Sequence, residues 1–399
     1  MSFNIEDYSL LDEYGPEKII NIRDPSIGLN AVLVIDNSVY GIPAGGVRLL
    51  PDIELDEIIR LARAMTLKFC SYKMKVGGAK TGIWGDYSNE EEKNMLLTGF
   101  AKQIETFIKN DFYYPGPDMG TDDDDLLKIF KVIGAPNLAP NKIGMFKLGV
   151  PVEELFTGYG VVYCLEIIYN NLEKLTNMKR DTSRKPSVIL EGFGKVGTAV
   201  GMSLNELGFS LTGLSTIKGA IFDENGLDIE QLLNLKEKYG DDLVNHYEST
   251  DLIKVEKEKL FELSSEYRTD FIIPGARPDV INNNNIDKID AIAIVPAANI
   301  PYEKGIQHKL NEKNIIAFPD FIANAGEILA IWVNKVAKNP EEIFEFIKGK
   351  ISDKTFEIIQ GANETGMTPY DFAVENALSE LKKKMKRNKR LLQKLNDRY

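Results

Sequence analysis

Lys80 stands in Val76-Gly77-Gly78-Ala79-Lys80-Thr81-Gly82, where the chain discards side chains around one amine. Lys68 lies twelve positions earlier, at the end of a stretch with helical periodicity. Downstream, Pro115-Gly116-Pro117-Asp118-Met119-Gly120-Thr121 forms a rigid turn that presents a carboxylate. Two lysines and an aspartate framed by glycine and proline suit an anionic, carbonyl-bearing substrate. A lysine desolvated among glycines drops in pKa far enough to serve as acid or base near neutrality. The only histidines, His246 and His308, sit in charged or polar surroundings, so proton transfer falls to lysine and carboxylate.

A second signal is Gly192-Phe193-Gly194-Lys195-Val196-Gly197. The β-branched run Ser187–Glu191 leads into it as a strand, and Thr198 to Leu207 follows as a helix. In that context the glycines have separate tasks: a tight turn, close approach of a pyrophosphate, and packing of helix on strand. The phosphates then rest on the helix N-terminus. A carboxylate is expected about 20 residues later to hold the adenosine ribose. The second strand ends instead in Ser215-Thr216-Ile217-Lys218. A hydroxyl pair beside a lysine suits a 2′-phosphate, which predicts NADP or dual use over strict NAD dependence. The two signals together predict a nicotinamide-dependent oxidoreductase.

These residues need elements to hold them. At 399 residues the chain exceeds one ordinary core, which predicts two domains. Residues 31–42 read as two strands about a turn at Asp36-Asn37. Leu55 to Phe69 has helical periodicity with Asp52 as its cap, and Glu90 to Ile108 and Asp122 to Val132 are further helices. Asp122 to Asp125 open the last of these, so capping and the helix dipole explain the acidic run without a metal. Beyond Leu148-Gly149-Val150-Pro151, a helix over Thr157–Tyr169 precedes the fingerprint. Apolar strands then recur at Phe209–Leu214, Phe271–Ile273, Ala291–Val295 and Ile315–Phe318. The expected class is α/β: a substrate-binding and oligomerisation domain over 1–150, then a Rossmann doubly wound domain over 151–335. Helices over 336–399 are expected to pack back on the first domain.

Composition excludes several classes. Hydrophobic content of 43% with 27% charged residues is that of a globular enzyme. No apolar run reaches the roughly 18 residues of a membrane span. Met1 to Asp7 lacks the basic and apolar regions of a signal peptide, so a cytoplasmic location without membrane attachment is expected. Cys70 and Cys164 stand alone, which argues against disulfides and metal sites. Nine basic residues and one acid between Lys382 and Arg398 give this segment +8, so that the rest of a chain of net charge −12 carries −20. Leu381, Met385, Leu392 and Leu395 make this tail a basic amphipathic helix, read as docked on the acidic body or a neighbouring subunit rather than on nucleic acid.

The sequence resembles the glutamate/leucine/phenylalanine/valine dehydrogenase family over about residues 30–340. The resemblance rests on Ala44-Gly45-Gly46-Val47-Arg48, Met65-Thr66-Leu67-Lys68, Gly77-Gly78-Ala79-Lys80, Pro117-Asp118-Met119-Gly120-Thr121 and Thr157-Gly158-Tyr159-Gly160. It continues through the fingerprint, Ile273-Pro274-Gly275-Ala276, Ala297-Ala298-Asn299 and Pro319–Gly326, which contains Asn324. The resemblance implies reversible oxidative deamination of an L-amino acid with NAD or NADP, in a homo-oligomer of six or eight subunits. It implies that Lys68 binds the α-carboxylate, that Lys80 activates water, and that Asp118 shuttles protons. Gly45, Gly46 and Met65 would line the substrate site. Thr157, Ala298, Asn299 and Asn324 would hold the nicotinamide end of the coenzyme.

Departures from the pattern point to the side chain. Glutamate enzymes carry a lysine immediately before the Gly-Gly pair, where this chain has Ala44, and a serine where it has Ile331. A substrate carboxylate buried there without partners costs several kcal/mol. Ala44, Gly116, Ile328 and Ile331 describe an apolar pocket and predict an apolar substrate. Two alternatives stay open: a glutamate enzyme recognising its substrate through Lys73 or Lys75, and a catalytically quiet nucleotide-binding subunit. Glu327, Tyr159 and Gly275 also depart from the family pattern, and Glu327 is expected to face solvent or a basic neighbour.

Overall fold

Alternating apolar residues build the first sheet, and glycines in its central strands let helices and side chains close on it. The computed structural model describes residues 11–139, 143–176, 178–333 and 336–396; the expectations for Met1 to Asp7 and the side chains of Leu392 and Leu395 lie outside the described residues. Two compact units divide the chain, Met1–Asn141 with Val374–Tyr399, and Lys142–Ala373.

The first unit runs β1 (Lys18–Asp24), β2 (Leu29–Asn37), β3 (Pro43–Leu50), α1 (Leu55–Ser71), β4 (Gly77–Trp84), α2 (Glu90–Lys109), β5 (Tyr114–Pro117) and α3 (Asp123–Val132). Its sheet has the order β1-β2-β4-β3-β5. The β1–β2 and β2–β4 pairs are antiparallel, whereas β3 runs parallel to both β4 and β5. Leu29, Leu33, Val47 and Ile83 bury one face with Phe100 and Ile104 of α2 and Ile129 and Phe130 of α3. Asn89 caps α2 through the Glu92 amide, and Asp122 with Asp125 forms a reciprocal capping box on α3. The acidic run is accounted for as capping.

Two local expectations are corrected. The turn expected at Asp36-Asn37 is absent, because β2 continues through both residues. Asp36 is fully buried and paired with Arg63 at 3.0 Å and the Thr66 hydroxyl at 2.5 Å, so tertiary pairing overrides its turn preference. Helix α1 begins after Glu54, without a side-chain cap, and not at Asp52.

The second unit opens with the hairpin β6 (Phe146–Lys147) and β7 (Val150–Pro151), then α4 (Phe156–Asn170) and α5 (Leu172–Leu175). There follow β8 (Ser187–Glu191), α6 (Lys195–Leu207), β9 (Ser210–Thr216), β10 (Gly219–Phe222), α7 (Ile229–Tyr239), α8 (Leu243–His246), β11 (Ile253–Val255) and β12 (Phe271–Ile273). The unit continues with β13 (Ala293–Ile294), α9 (Ile306–Glu312), β14 (Ile316–Ala317), α10 (Asp320–Ala323), α11 (Gly326–Val333) and α12 (Pro340–Thr365). Helix α13 (Pro369–Asn396) ends the described chain. The sheet order is β11-β10-β9-β8-β12-β13-β14. Its five strands from β9 to β14 are parallel, and helices α4 and α6 pack against each other. This is the doubly wound arrangement the alternation predicts. Strand β10 departs from it by pairing antiparallel with both β9 and β11, since Ile217 and Lys218 alone turn β9 back into a hairpin.

The basic tail belongs to α13, where Leu381 is buried and Met385 half-buried. Lys382 meets Glu13 at 3.3 Å and the Asn388 amide donates to the Val39 carbonyl at 3.4 Å, so the helix docks on the acidic body. Among the described residues no helix is long and apolar enough to cross a membrane.

Candidate active site

Lys80 occupies the middle of β4, opposite Val34 of β2, and is only 3% exposed. Its ammonium lies 2.5 Å from the Asp118 carboxylate, just past the end of β5. Two glycines of β3 make this approach possible. A Cβ on Gly46 would sit 2.7 Å from the Asp118 Cβ and 3.2 Å from the Lys80 Nζ, and one on Gly45 would strike the Ala79 carbonyl. Tyr113 donates to the Gly45 carbonyl and accepts from Thr81, each at 3.0 Å, which pins the bare strand. Thr121 locks the Asp118 turn by accepting from the Asp118 amide and donating to the Val47 carbonyl. Gly45 and Gly46 therefore serve close approach.

Arg48 joins this cluster, which sequence reasoning missed. Its guanidinium donates to Asp118 at 3.1 and 3.4 Å and to Glu57 of α1. The signal was present in the period-two register of β3, which puts Gly46 and Arg48 on one face. Burial pushes the Asp118 carboxyl up, but the charges of Lys80 and Arg48 outweigh it and hold the group well below the usual carboxylate range. For Lys80, burial drives the amine below its ordinary value, and Arg48 adds to that against the pull of Asp118. A carboxylate fixed as the anion thus touches an amine that gives up its proton readily.

Lys68 is buried in the last turn of α1. The helix comes close enough because Gly78 has no side chain: a Cβ there would lie 2.2 Å from the Thr66 hydroxyl. Ala44, Met65 and Gly116 are half-buried, and open space lies beside Gly116. Lys73 is 70% exposed and faces Glu380 at 3.9 Å, and Lys75 is also exposed. In the second unit Ile328 is half-buried, whereas Ile331 is 57% exposed on α11 and Glu327 is exposed.

The fingerprint supplies a cradle for a coenzyme. Gly192 turns the chain at φ +85°, in the left-handed region, and a Cβ on Gly197 would strike the Gly192 carbonyl at 2.0 Å. Nothing lies within 4 Å of a Cβ placed on Gly194, at the N-cap of α6. That open space at a helix N-terminus fits a diphosphate. Val196 is half-buried and Lys195 exposed, but Phe193 is a core side chain at 1% exposure, so only its backbone is available to a coenzyme. Ser215 takes the Gly192 amide on its carbonyl at 3.0 Å and is buried. Thr216 spends its hydroxyl on the Asp241 carbonyl at 2.7 Å, while Lys218, of the trio expected to meet a 2′-phosphate, is exposed with its charge acting on Asp242. At the other end, Asn324 donates to the carbonyls of Ala297 and Ala298 and, at 2.9 Å, to Asn299. The Asn324 Oδ1 is buried without a hydrogen-bond partner, while Thr157 stands half-buried in the first turn of α4.

The family description Glutamate/Leucine/Phenylalanine/Valine dehydrogenase matches residues 149–389, and the description Glu/Leu/Phe/Val dehydrogenase, dimerisation domain, matches residues 16–133. The chain belongs to the Glu/Leu/Phe/Val dehydrogenase family. Among curated relatives, the NADP-specific glutamate dehydrogenase of Saccharolobus shibatae is 29% identical over 80% of this chain and 75% of its own length. The NAD-specific glutamate dehydrogenase of Staphylococcus aureus is likewise 29% identical, over 82% of this chain and 77% of its own. Among solved structures, a hetero-hexameric glutamate dehydrogenase from Thermus thermophilus in a leucine-bound form superposes with TM-score 0.78 at 23% identity, covering 92% of this chain and 89% of that one. L-tryptophan dehydrogenase from Nostoc punctiforme gives 0.61 at 22% identity, covering 93% and 98%. As a member of the Glu/Leu/Phe/Val dehydrogenases, the chain is an oxidoreductase acting on the CH–NH2 group of amino acids with NAD or NADP.

Proposed function

We propose that this dehydrogenase deaminates an L-amino acid with an apolar side chain. Substrate, water and NAD(P)⁺ give a 2-oxo acid, ammonium, NAD(P)H and a proton, and the reaction is reversible. The observation that carries this reading is the buried contact of Lys80 with Asp118, beside the bare Gly46 and braced by Arg48.

In the proposed mechanism, Lys68 holds the substrate α-carboxylate. Asp118 relays the proton that leaves the substrate ammonium, and Lys80, as the free amine, takes a proton from the water that attacks the former Cα. Arg48 keeps Asp118 in place throughout. The bound nicotinamide supplies a two-electron acceptor for the Cα hydride. Thr157, Ala298 and Asn299 orient its ring, with Asn324 holding the last two by its amide. Gly192, Gly194, Gly197 and the amides of Lys195 and Val196 receive the diphosphate.

The apolar preference rests on Ala44, Met65 and Gly116 of the first unit, which offer a substrate side chain apolar groups and open space; Ile328 and Ile331 of the second unit enter it through the family resemblance alone. The exposed Lys73, turned toward Glu380, supports it against the glutamate alternative. NADP or dual use rests on Lys218 alone. Assembly into a homo-oligomer of six or eight subunits in the cytoplasm completes the proposal; the match of the first unit to a dimerisation domain supports self-association.

A spectrophotometric screen of the common L-amino acids with NAD and NADP tests both preferences. The expected result is a kcat/KM for leucine, valine or phenylalanine at least about tenfold above that for glutamate, since one unmatched buried charge is worth well over 1.4 kcal/mol. Glutamate as the preferred substrate contradicts the apolar pocket, and a large preference for NAD contradicts the role of Lys218.

A further inference from the structure

Glu191 is the last residue of β8 and immediately precedes the first glycine of the fingerprint. Its side chain turns inward and accepts the amides of Gly275 and Ala276, both at 3.2 Å. The two segments are in backbone contact here. A Cβ on Gly275 would strike the Glu191 carbonyl at 2.3 Å, and one on Gly192 would lie 3.3 Å from the Gly275 carbonyl. The carboxylate therefore ties the phosphate-binding turn to the loop after β12. It also puts an acid directly behind the turn that must receive a diphosphate, a position where its charge opposes the ligand.

We propose that Glu191 couples coenzyme binding to proton uptake: neutral, it holds the turn for the diphosphate, and ionised, it weakens binding. A neutral carboxyl keeps a carbonyl oxygen for the two amides, so protonation removes the charge without cutting the tie. Burial pushes this carboxyl up to about 7, against the amides of Ala276 and Gly275 and against Lys257. Lys257, from the segment after β11, is the charged group that acts on it, and it is half-exposed and shared with Glu258 at 3.7 Å. The β9 side presents the Ser215 carbonyl and hydroxyl to Gly192, and no charge. Arg277 follows Ala276 on the loop. The sign follows from the raised value: the neutral form prevails below neutrality, the ionised form above it. Coenzyme affinity is highest on the acid side and falls as pH rises through 7.

The test measures coenzyme dissociation constants by fluorescence or calorimetry from pH 6 to 8.5 for the wild type, Glu191→Gln and Glu191→Ala. Glutamine keeps an acceptor oxygen and carries no charge. The wild-type Kd is expected to rise about tenfold over this range, the change produced by a one-unit shift of a single group. Glu191→Gln is expected to stay flat at the tight acid-side value, and Glu191→Ala to bind weakly throughout because the amides lose their acceptor. Calorimetry of the wild type at pH 7 in two buffers of different ionisation enthalpy adds a readout that needs no variant: binding should take up a fraction of a proton. ADP-ribose, which retains the diphosphate without the nicotinamide, should behave the same way. A Glu191→Gln protein with the wild-type slope, or binding without proton uptake, overturns the inference and leaves the dehydrogenase assignment standing. Failure of the wild type to bind NAD, NADP or ADP-ribose at any pH would instead undo the coenzyme site itself.

Discussion

Lys80→Met protein is expected to fold and to bind coenzyme, yet to turn over its amino acid about 10³-fold more slowly, the usual range for loss of a general base. Methionine reproduces the buried stem of lysine in an unbranched apolar chain, so packing in β4 changes little. The variant does not orphan the neighbouring acid, because Asp118 keeps the Arg48 guanidinium at 3.1 Å. What disappears is the amine, which burial holds below the ordinary lysine range. In the wild type, the rate of deamination should climb as pH rises through that lowered value and reach its plateau before an exposed lysine would lose its proton. The variant should lose this rise together with its turnover. Steady-state kinetics across pH, with coenzyme binding measured on the same samples, checks the expectation. Turnover within tenfold of the wild type would place the base elsewhere.

Asp118→Asn should be nearly as damaging, for a different reason. The substitution is isosteric, but it removes the anion shared by Lys80 and Arg48, of which Arg48 is 4% exposed and retains Glu57. Breaking a buried pair in this way costs about 3–5 kcal/mol of stability, which a denaturant titration would detect. Proton relay to the substrate amine should fall by about 10²–10⁴ in kcat. The residual activity carries a diagnostic sign. Asp118 raises the Lys80 pKa, so its neutralisation lets the amine fall further, and the acid limb of the profile should move to lower pH. An acid limb that stays in place or moves upward would mean that the two groups do not interact as the 2.5 Å contact requires.

Much of this site could be read before any fold was known, and the parts that could not share a cause. Lys80 and Asp118 stood out because glycine and proline frame them, and Gly45, Gly46, Gly78 and Gly120 each mark a place where a Cβ would collide, whereas Lys68 stood out at the end of a helical pattern. The fingerprint was legible because its strand and helix flank it in sequence. Arg48 and Glu57 escaped because their pairing depends on how β3 meets α1, which local pattern does not encode. Asp36 was misread as a turn residue since its partners Arg63 and Thr66 lie about a helix away. Phe193 lies inside a ligand motif, and only packing reveals that its ring belongs to the core.

The second sheet teaches the same lesson. Alternating strands and helices specified the parallel core, while the reversal into β10 hinged on two residues, Ile217 and Lys218. That hairpin also brings the strand end against Asp241, which occupies the Thr216 hydroxyl expected to meet a ribose phosphate. Glu191 was read only as a strand residue, and its tie to Gly275 and Ala276 comes from the crossover that sets β12 beside β8. Contacts set by crossovers are long in sequence and short in space. Spacing along the chain cannot show them.

The proposed deamination requires Lys80 to lose its proton more easily than an exposed lysine. Competitive acetylation with trace reagent across pH 6 to 11, read for each lysine by mass spectrometry, reports the pKa of Lys80 beside that of the exposed Lys73 in one sample. Lys80 should reach half its limiting reactivity well below the range of an ordinary lysine. If it titrates within that ordinary range, the cleft holds an ordinary ammonium and the proposed base does not exist.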